Sequence, residues 1–171
     1  MNYKIMIVED DPDIAELVSR HLGKFGFTIE KCIEFHNVLK EFEKVKPHLV
    51  LLDIKHSDPA GHVELTGRKQ ESVLQFMKAI ERAEIPVVIR HVVVPGITDS
   101  EKELTDTGHL IGGLRNLAGL EILPYHTMGI NKYKNMGKEY PLEGVPEMKP
   151  EQAKKARMTI LRAIQEVRRN L

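Results

Sequence analysis

Seven side chains stand where an α/β chain would place its chemistry. Glu9 and Asp10 close the run IMIV, Asp53 and Lys55 close LVLL, Arg90 and His91 close PVVI, and His126 follows EILPY. Clustered carboxylates such as Glu9, Asp10 and Asp53 can hold a hard cation, Mg²⁺ in the first place, through oxygen, and an aspartate can attack phosphorus as a nucleophile. Lys55 and Arg90 offer charge-assisted hydrogen bonds to a carboxylate-bearing ligand. Asp53 and Lys55 are two residues apart, so strand alternation puts them on one side. With Arg90 and His126 near, the acidic group can equally be neutralised by side chains. A structural ion-pair cluster, a weak Mg²⁺ site and a slowly phosphorylated Asp53 therefore all stay open.

The remaining reactive residue types carry less. Cys32 is the single cysteine, which excludes an internal disulfide and a cluster held by several thiolates of this chain. Its setting, KCIEF, reads as a buried small residue in a strand rather than a ligand or nucleophile. His48, His56, His62 and His109 lack paired metal spacing and read as surface or turn histidines. Gly112 and Gly113 fall late in a helical pattern and not after a strand, so they read as a helix breaker and not as a phosphate loop.

These residues need a scaffold. At 171 residues the chain fits a single domain, 1–171. Lys plus Arg and Asp plus Glu each number 25, a balance without the basic excess that drives nucleic-acid binding. No run approaches the roughly 18 apolar residues of a membrane span, and the chain is expected to be soluble and cytoplasmic. Strands are predicted at Lys4 to Glu9, Thr28 to Ile33, His48 to Asp53, Ile85 to Val94 and Leu120 to Leu123. Helical stripes run through Ile14, Leu17, Val18, Leu22 and Phe25, through Val38, Leu39, Phe42 and Val45, through Val73, Phe76, Met77 and Ile80, and through Leu104, Ile111 and Leu114. A last helix after Pro150 aligns Ala153, Ala156, Ile160, Ile164, Val167 and Leu171. Strict β-α alternation predicts a flavodoxin-like, doubly wound α/β fold, a parallel five-stranded sheet of order 2-1-3-4-5. Ligands of such folds sit outside the carboxyl ends of the strands, where the seven residues above lie. The stretch 125–149 is predicted to be an extended surface loop.

Two resemblances divide the chain. Residues 1 to about 54, from KIMIVEDDPDIAELVSRHLGKFGF to KPHLVLLDI, resemble the first half of a response-regulator receiver domain. That resemblance implies Glu9 and Asp10 as an acidic pair for Mg²⁺ and Asp53 as a phosphoacceptor. The receiver pattern stops there, since VVIRH ends without a small hydroxyl residue and EILPYH without Lys-Pro. From about residue 50, LLDIKHSDPAGHVELTG, PVVIRHVVVPGITDSE, LEILPYHTMGINKYKNMG and YPLEGVP resemble the C-terminal half of the radical S-adenosylmethionine enzymes that activate pyruvate formate-lyase. It implies that Asp53, Lys55, Arg90 and His126 line an S-adenosylmethionine site.

The CxxxCxxC loop that holds the iron–sulfur cluster of that family does not occur in this sequence. The expectation is therefore an engineered chimera of a receiver fragment, 1–54, and a partial-barrel fragment, 55–171. It would be no enzyme, with no evolved activity, no iron–sulfur cluster or other cofactor beyond weak Mg²⁺, and no natural partner. A homodimer through an exposed sheet edge stays open. The alternatives are a phosphorelay module using Asp53 and an S-adenosylmethionine-binding remnant without radical activity.

Overall fold

Runs of β-branched and leucine residues four to seven long are too short for stable helices and pair as strands instead. The computed structural model describes residues 3–9, 12–32, 38–127, 130 and 139–171. It contains β1 (Lys4–Val8), β2 (Thr28–Cys32), β3 (Leu49–Asp53), β4 (Val87–Val93) and β5 (Leu117–Pro124). They form one parallel sheet of order β2-β1-β3-β4-β5 with helices on both sides, the predicted flavodoxin-like α/β arrangement. β5 begins at Leu117 and not at Leu120. Ala118 and Gly119 hide its start from a pattern based on bulky side chains, yet the close of the preceding turn is anchored, since the Val87 amide donates to the Asn116 carbonyl at 3.0 Å.

Helices α1 (Pro12–Gly23), α2 (Val38–Val45), α3 (Pro59–Thr66), α4 (Glu71–Arg82), α5 (Glu101–Gly112) and α6 (Pro150–Arg169) follow the strands. α3 was not foreseen. Its sequence PAGHVELT has no apolar stripe and carries a glycine, whereas Pro59 at its first position suits a helix start, where no amide donor is needed. His62, expected at the surface, is instead buried on α3, and its carbonyl accepts from Thr66 Oγ1 at 2.7 Å. α1 ends at Gly23, before the Phe25 of the predicted stripe; Ile14, Leu17 and Phe25 face solvent, and Ala15 is the buried residue of the helix. Ile33 lies outside the described residues, as do residues 128–129 and 131–138 of the predicted loop 125–149.

The chain divides into two compact units. The first comprises Met1–Lys55, Pro59–Arg90 and Leu114–Glu121. Its core gathers Ile5 to Val8, Val50, Leu52, Phe76, Ile80 and Ile89, and Phe42 meets Phe76 edge to face with ring centroids 5.5 Å apart. Burying each such side chain contributes about 1.5–3 kcal/mol.

The second unit comprises His56–Asp58, His91–Gly113 and Ile122–Leu171. Here α6 presents Ala156, Ile160, Ala163 and Ile164 to α5. The close approach depends on two glycines: a Cβ on Gly108 would stand 2.5 Å from Ala163 Cβ and 2.6 Å from the Ile160 carbonyl oxygen, and one on Gly112 would stand 2.9 Å from Val167 Cβ. The helix does end at Gly112, as expected, but that glycine also serves packing. The described ends of the 125–149 stretch are tied together, with the Met148 amide donating to the Tyr125 carbonyl at 2.9 Å and Thr127 donating to Glu147.

Candidate functional site

The site begins with strand register. β1 runs alongside β3 with Val8 opposite Leu52, so Glu9 emerges beside Asp53, and β3 runs alongside β4 with Asp53 opposite Arg90. Three charged residues thereby meet at the carboxyl ends of neighbouring parallel strands, where ligands of such folds bind. Arg90 Nη2 lies 2.8 Å from Glu9 Oε2 and 2.6 Å from Asp53 Oδ1, and Arg90 Nε also donates to Asp53 Oδ1 at 2.6 Å. Lys55 Nζ donates to Asp53 Oδ2 at 2.9 Å. The side chains of Arg90, Glu9 and Asp53 are only 5%, 2% and 8% exposed, while Lys55 is 30% exposed.

Burial pushes the Asp53 carboxyl up, but the positive charges of Lys55 and Arg90, joined by the hydrogen bond from Lys55, outweigh it and hold the carboxyl below its ordinary value of 3.8. Asp53 is thus an anion locked between two cations, and its two oxygens are both engaged. Above the cluster lies a small cleft of about 40 Å³ whose walls include Val8, Glu9, Asp53, Lys55, Thr66 and Lys69. A wider hollow of about 400 Å³ in the second unit, walled by Leu104, Met148, Ala156 and Met158 with Asp99 and Arg162, contains none of the residues singled out above. The small cleft is the one attached to chemistry.

The sequence-predicted residues distribute unevenly. Glu9, Asp53, Lys55 and Arg90 meet in the first unit. His126 belongs to the second unit, where it is exposed and its charge helps lower the Glu147 carboxyl, whose main causes are hydrogen bonds from Thr127. His91 is fully buried. Asp10, the expected partner of Glu9 for Mg²⁺, lies outside the described residues, and among the described residues no group of three His, Cys, Asp or Glu side chains is placed to hold a metal. Cys32 is buried, as its context suggested.

One cluster escaped sequence reasoning. In the second unit the buried Glu103 carboxylate accepts from the Ser57 amide and from Ser57 Oγ, both at 2.6 Å, and from Thr107 Oγ1 at 3.4 Å. His56 Nδ1 lies 3.2 Å from Glu103 Oε2 but also 3.0 Å from the Asp58 amide. An amide can only donate, so we read Nδ1 as the acceptor of that bond and not as a cation paired with Glu103. The signal for Glu103 was present as S-x-x-E from Ser100, a capping box. Ser100 Oγ does accept the Glu103 amide at 3.1 Å, but the carboxylate turns to the segment following Lys55.

No protein-family model matches the chain. The pyruvate formate-lyase-activating enzyme of Staphylococcus epidermidis is 42% identical over 119 residues, 68% of this chain and 47% of the relative. That of Clostridium pasteurianum is 41% identical over 116 residues, 67% of this chain and 49% of the relative. The chain thus spans about half the length of the relatives it matches. Among solved structures, a domain of a pyruvate formate-lyase-activating enzyme from Bacteroides vulgatus covers 95% of this chain and is itself 95% covered, with TM-score 0.63 and 16% identity, a likeness of fold. The receiver domain of a Methanoculleus marisnigri response regulator covers 78% of the chain and is 93% covered, with TM-score 0.48 and 18% identity.

These findings correct the functional expectation. Two thirds of the chain at 42% identity to a natural enzyme is not what an engineered chimera without evolved activity predicts, and the reading of the chain as no enzyme falls with it. The expectation of no cofactor and no iron–sulfur cluster rested on the missing CxxxCxxC loop. That reasoning took 171 residues for the whole enzyme, whereas the matched relatives are about twice as long as their matched part and are named as enzymes that activate pyruvate formate-lyase. The expected absence of a natural partner is corrected likewise, since the relatives are named for acting on pyruvate formate-lyase.

Proposed function

We propose that this chain carries the S-adenosylmethionine-binding side of a glycyl-radical activating enzyme, with Asp53, Lys55 and Arg90 as its ligand set. The observation that carries the proposal is the mixed-sign cluster of Glu9, Asp53, Lys55 and Arg90 at the strand ends, in a chain most of which matches activating enzymes. A match of that length must pass through the middle of the chain and takes in Arg90.

The amino-acid end of S-adenosylmethionine is a zwitterion. Lys55 and Arg90 would hold its carboxylate through charge-assisted hydrogen bonds, and Asp53 and Glu9 would hold its ammonium. In the free chain these four groups neutralise one another, so binding exchanges partners and leaves no buried charge unpaired, which limits the desolvation cost. The cleft of about 40 Å³ suits a head group rather than a nucleoside, which would lie outside it. When bound, S-adenosylmethionine supplies the carbon–sulfur bond whose reductive cleavage yields a carbon radical. The described residues do not fit an iron–sulfur cluster, because Cys32 is one thiol and is buried. The partner of the whole enzyme would be a glycyl-radical enzyme of the kind the relatives are named for.

Isothermal calorimetry of the chain with S-adenosylmethionine tests the reading. Saturable binding is expected, weakened at least about tenfold in Lys55→Ala, whose charge-assisted bond to the carboxylate would be lost. No heat, or equal binding by Lys55→Ala, overturns it.

A further inference from the structure

In the second unit the hollow of about 400 Å³ has the size of a small-ligand site. Leu104, Met148 and Ala156 give it a buried apolar floor. Its charged walls are ordered along one direction. α5 and α6 run side by side in the same sense, since Gly108 lies against Ile160 and Ala163 and Gly112 against Ile164 and Val167. Glu101, seven residues before Gly108, therefore falls level with residues 153–156, and so with Lys155, and Asp99 just precedes it. Arg162 stands seven residues beyond Lys155, roughly 10 Å along the helix axis. One end of the hollow thus carries two carboxylates and an ammonium, the other a guanidinium. Other charges of α6 are matched locally, Lys154 with Glu151 at 3.0 Å and Glu166 with His109 at 3.6 Å. Among the described residues no ion pair joins Asp99, Glu101, Lys155 and Arg162 to one another.

We propose that this hollow binds a short zwitterionic peptide, about three residues long, with its ammonium at Asp99 and Glu101 and its carboxylate at Arg162. Arg162 offers the paired donors that a carboxylate accepts. Lys155 leaves the acidic end with one net negative charge, the match to one ammonium. Three extended residues span about 10 Å, the separation of the two ends, whereas a single amino acid is too short to reach both. An apolar side chain in the middle of the peptide would cover Leu104 and Ala156. In the Asp53 cluster opposite charges already cancel within the chain, and a ligand must exchange partners. Here they are held apart, so a ligand bearing both charges completes each end without breaking an ion pair. The site is separate from the S-adenosylmethionine cleft and does not depend on that reading.

Isothermal calorimetry of the full chain with the tripeptide Ala-Leu-Ala tests the proposal, read together with circular dichroism to verify folding. Saturable binding is expected by about 5 mM, where a millimolar Kd gives mostly complex. Acetylating the peptide amine or amidating its carboxyl should each weaken binding by at least about tenfold, the loss of one charge-assisted hydrogen bond. Arg162→Gln and Glu101→Gln replace exposed side chains and should keep the fold. Arg162→Gln should weaken the free peptide but not the amidated one further, and Glu101→Gln the free peptide but not the acetylated one. Lys55→Ala should bind the peptide as the parent chain does. No saturable heat overturns the proposal, as does a doubly blocked peptide that binds as well as the free one, or free-peptide binding that Arg162→Gln leaves unchanged or Lys55→Ala abolishes.

Discussion

Arg90 offers the sharpest test of how the first unit is held together. Replacing it by Met keeps most of the side-chain volume and removes a cation that touches both buried carboxylates, at 2.8 Å from Glu9 and 2.6 Å from Asp53. Breaking a buried ion pair by deleting one partner costs about 3–5 kcal/mol, because the charge left behind is neither solvated nor paired. Both carboxylates lose a partner here, while Lys55 still reaches Asp53, so a cost within that range is expected. For a chain of this size each kcal/mol moves Tm by about 2–4 °C, giving a loss of roughly 6–20 °C.

The penalty must also depend on pH. In the native chain the Asp53 carboxyl is held below its ordinary 3.8 by Lys55 and Arg90 acting against burial. A carboxyl lowered on folding contributes stability that is fully present above its unfolded value and is lost as pH falls through the folded one. Without Arg90, burial meets less opposition and Asp53 takes up a proton at higher pH. The difference between Arg90→Met and the parent chain should therefore be largest near neutrality and shrink as pH approaches 4, in urea titrations at a series of pH values. A loss below about 1 kcal/mol at pH 7, or one that does not change with pH, would refute the account of the cluster as mutually dependent buried ions.

Other perturbations probe other parts. Gly108→Ala inserts a methyl group 2.5 Å from Ala163 Cβ, and the overpacking should cost about 1–3 kcal/mol in thermal melts. Gly113→Ala, where nothing lies within 4 Å of the added carbon, is the control and should change little. Glu103→Ala removes the acceptor of the part-buried Ser57 amide and hydroxyl, and losing these bonds should cost about 1 kcal/mol or more; Glu103→Gln, which keeps an acceptor oxygen, should recover part of it. Asp53→Asn keeps the shape of the side chain while deleting its charge, and should weaken S-adenosylmethionine binding in calorimetry if the ligand ammonium is held there.

The strands were legible because each is a local run of apolar residues, and their order followed from handed crossovers between parallel strands. α3 was not, because PAGHVELT lacks any stripe to read. The stripe on α1 was legible as a helix signal, but periodicity records only that apolar residues share a side and cannot record whether another element reaches them. Within the site, Asp53 and Lys55 are two apart on one strand and their shared side follows from alternation. The contact of Arg90 with Glu9, 81 residues earlier, depends on strand register, which the sequence does not state. The error about function had a different origin. A cysteine count is a sound statement about 171 residues, and it became unsound when applied to the chemistry of relatives with about twice the matched length.

The pairing of Asp53 with Arg90 across β3 and β4 also bears on how the sheet assembles. Uniform apolar strands such as LVLLD and VVIRHVV could slide past one another by a residue at small loss of greasy contact. A slip of one residue, however, turns every side chain to the opposite face, and would drive a guanidinium into hydrocarbon with no carboxylate within reach. The charges thus act as a proofreading mark: they penalise mispaired sheets far more than they stabilise the correct one. Variants in which all three ions become apolar should be expected to fold as tightly as the parent and to reach that state with more misaligned chains along the way.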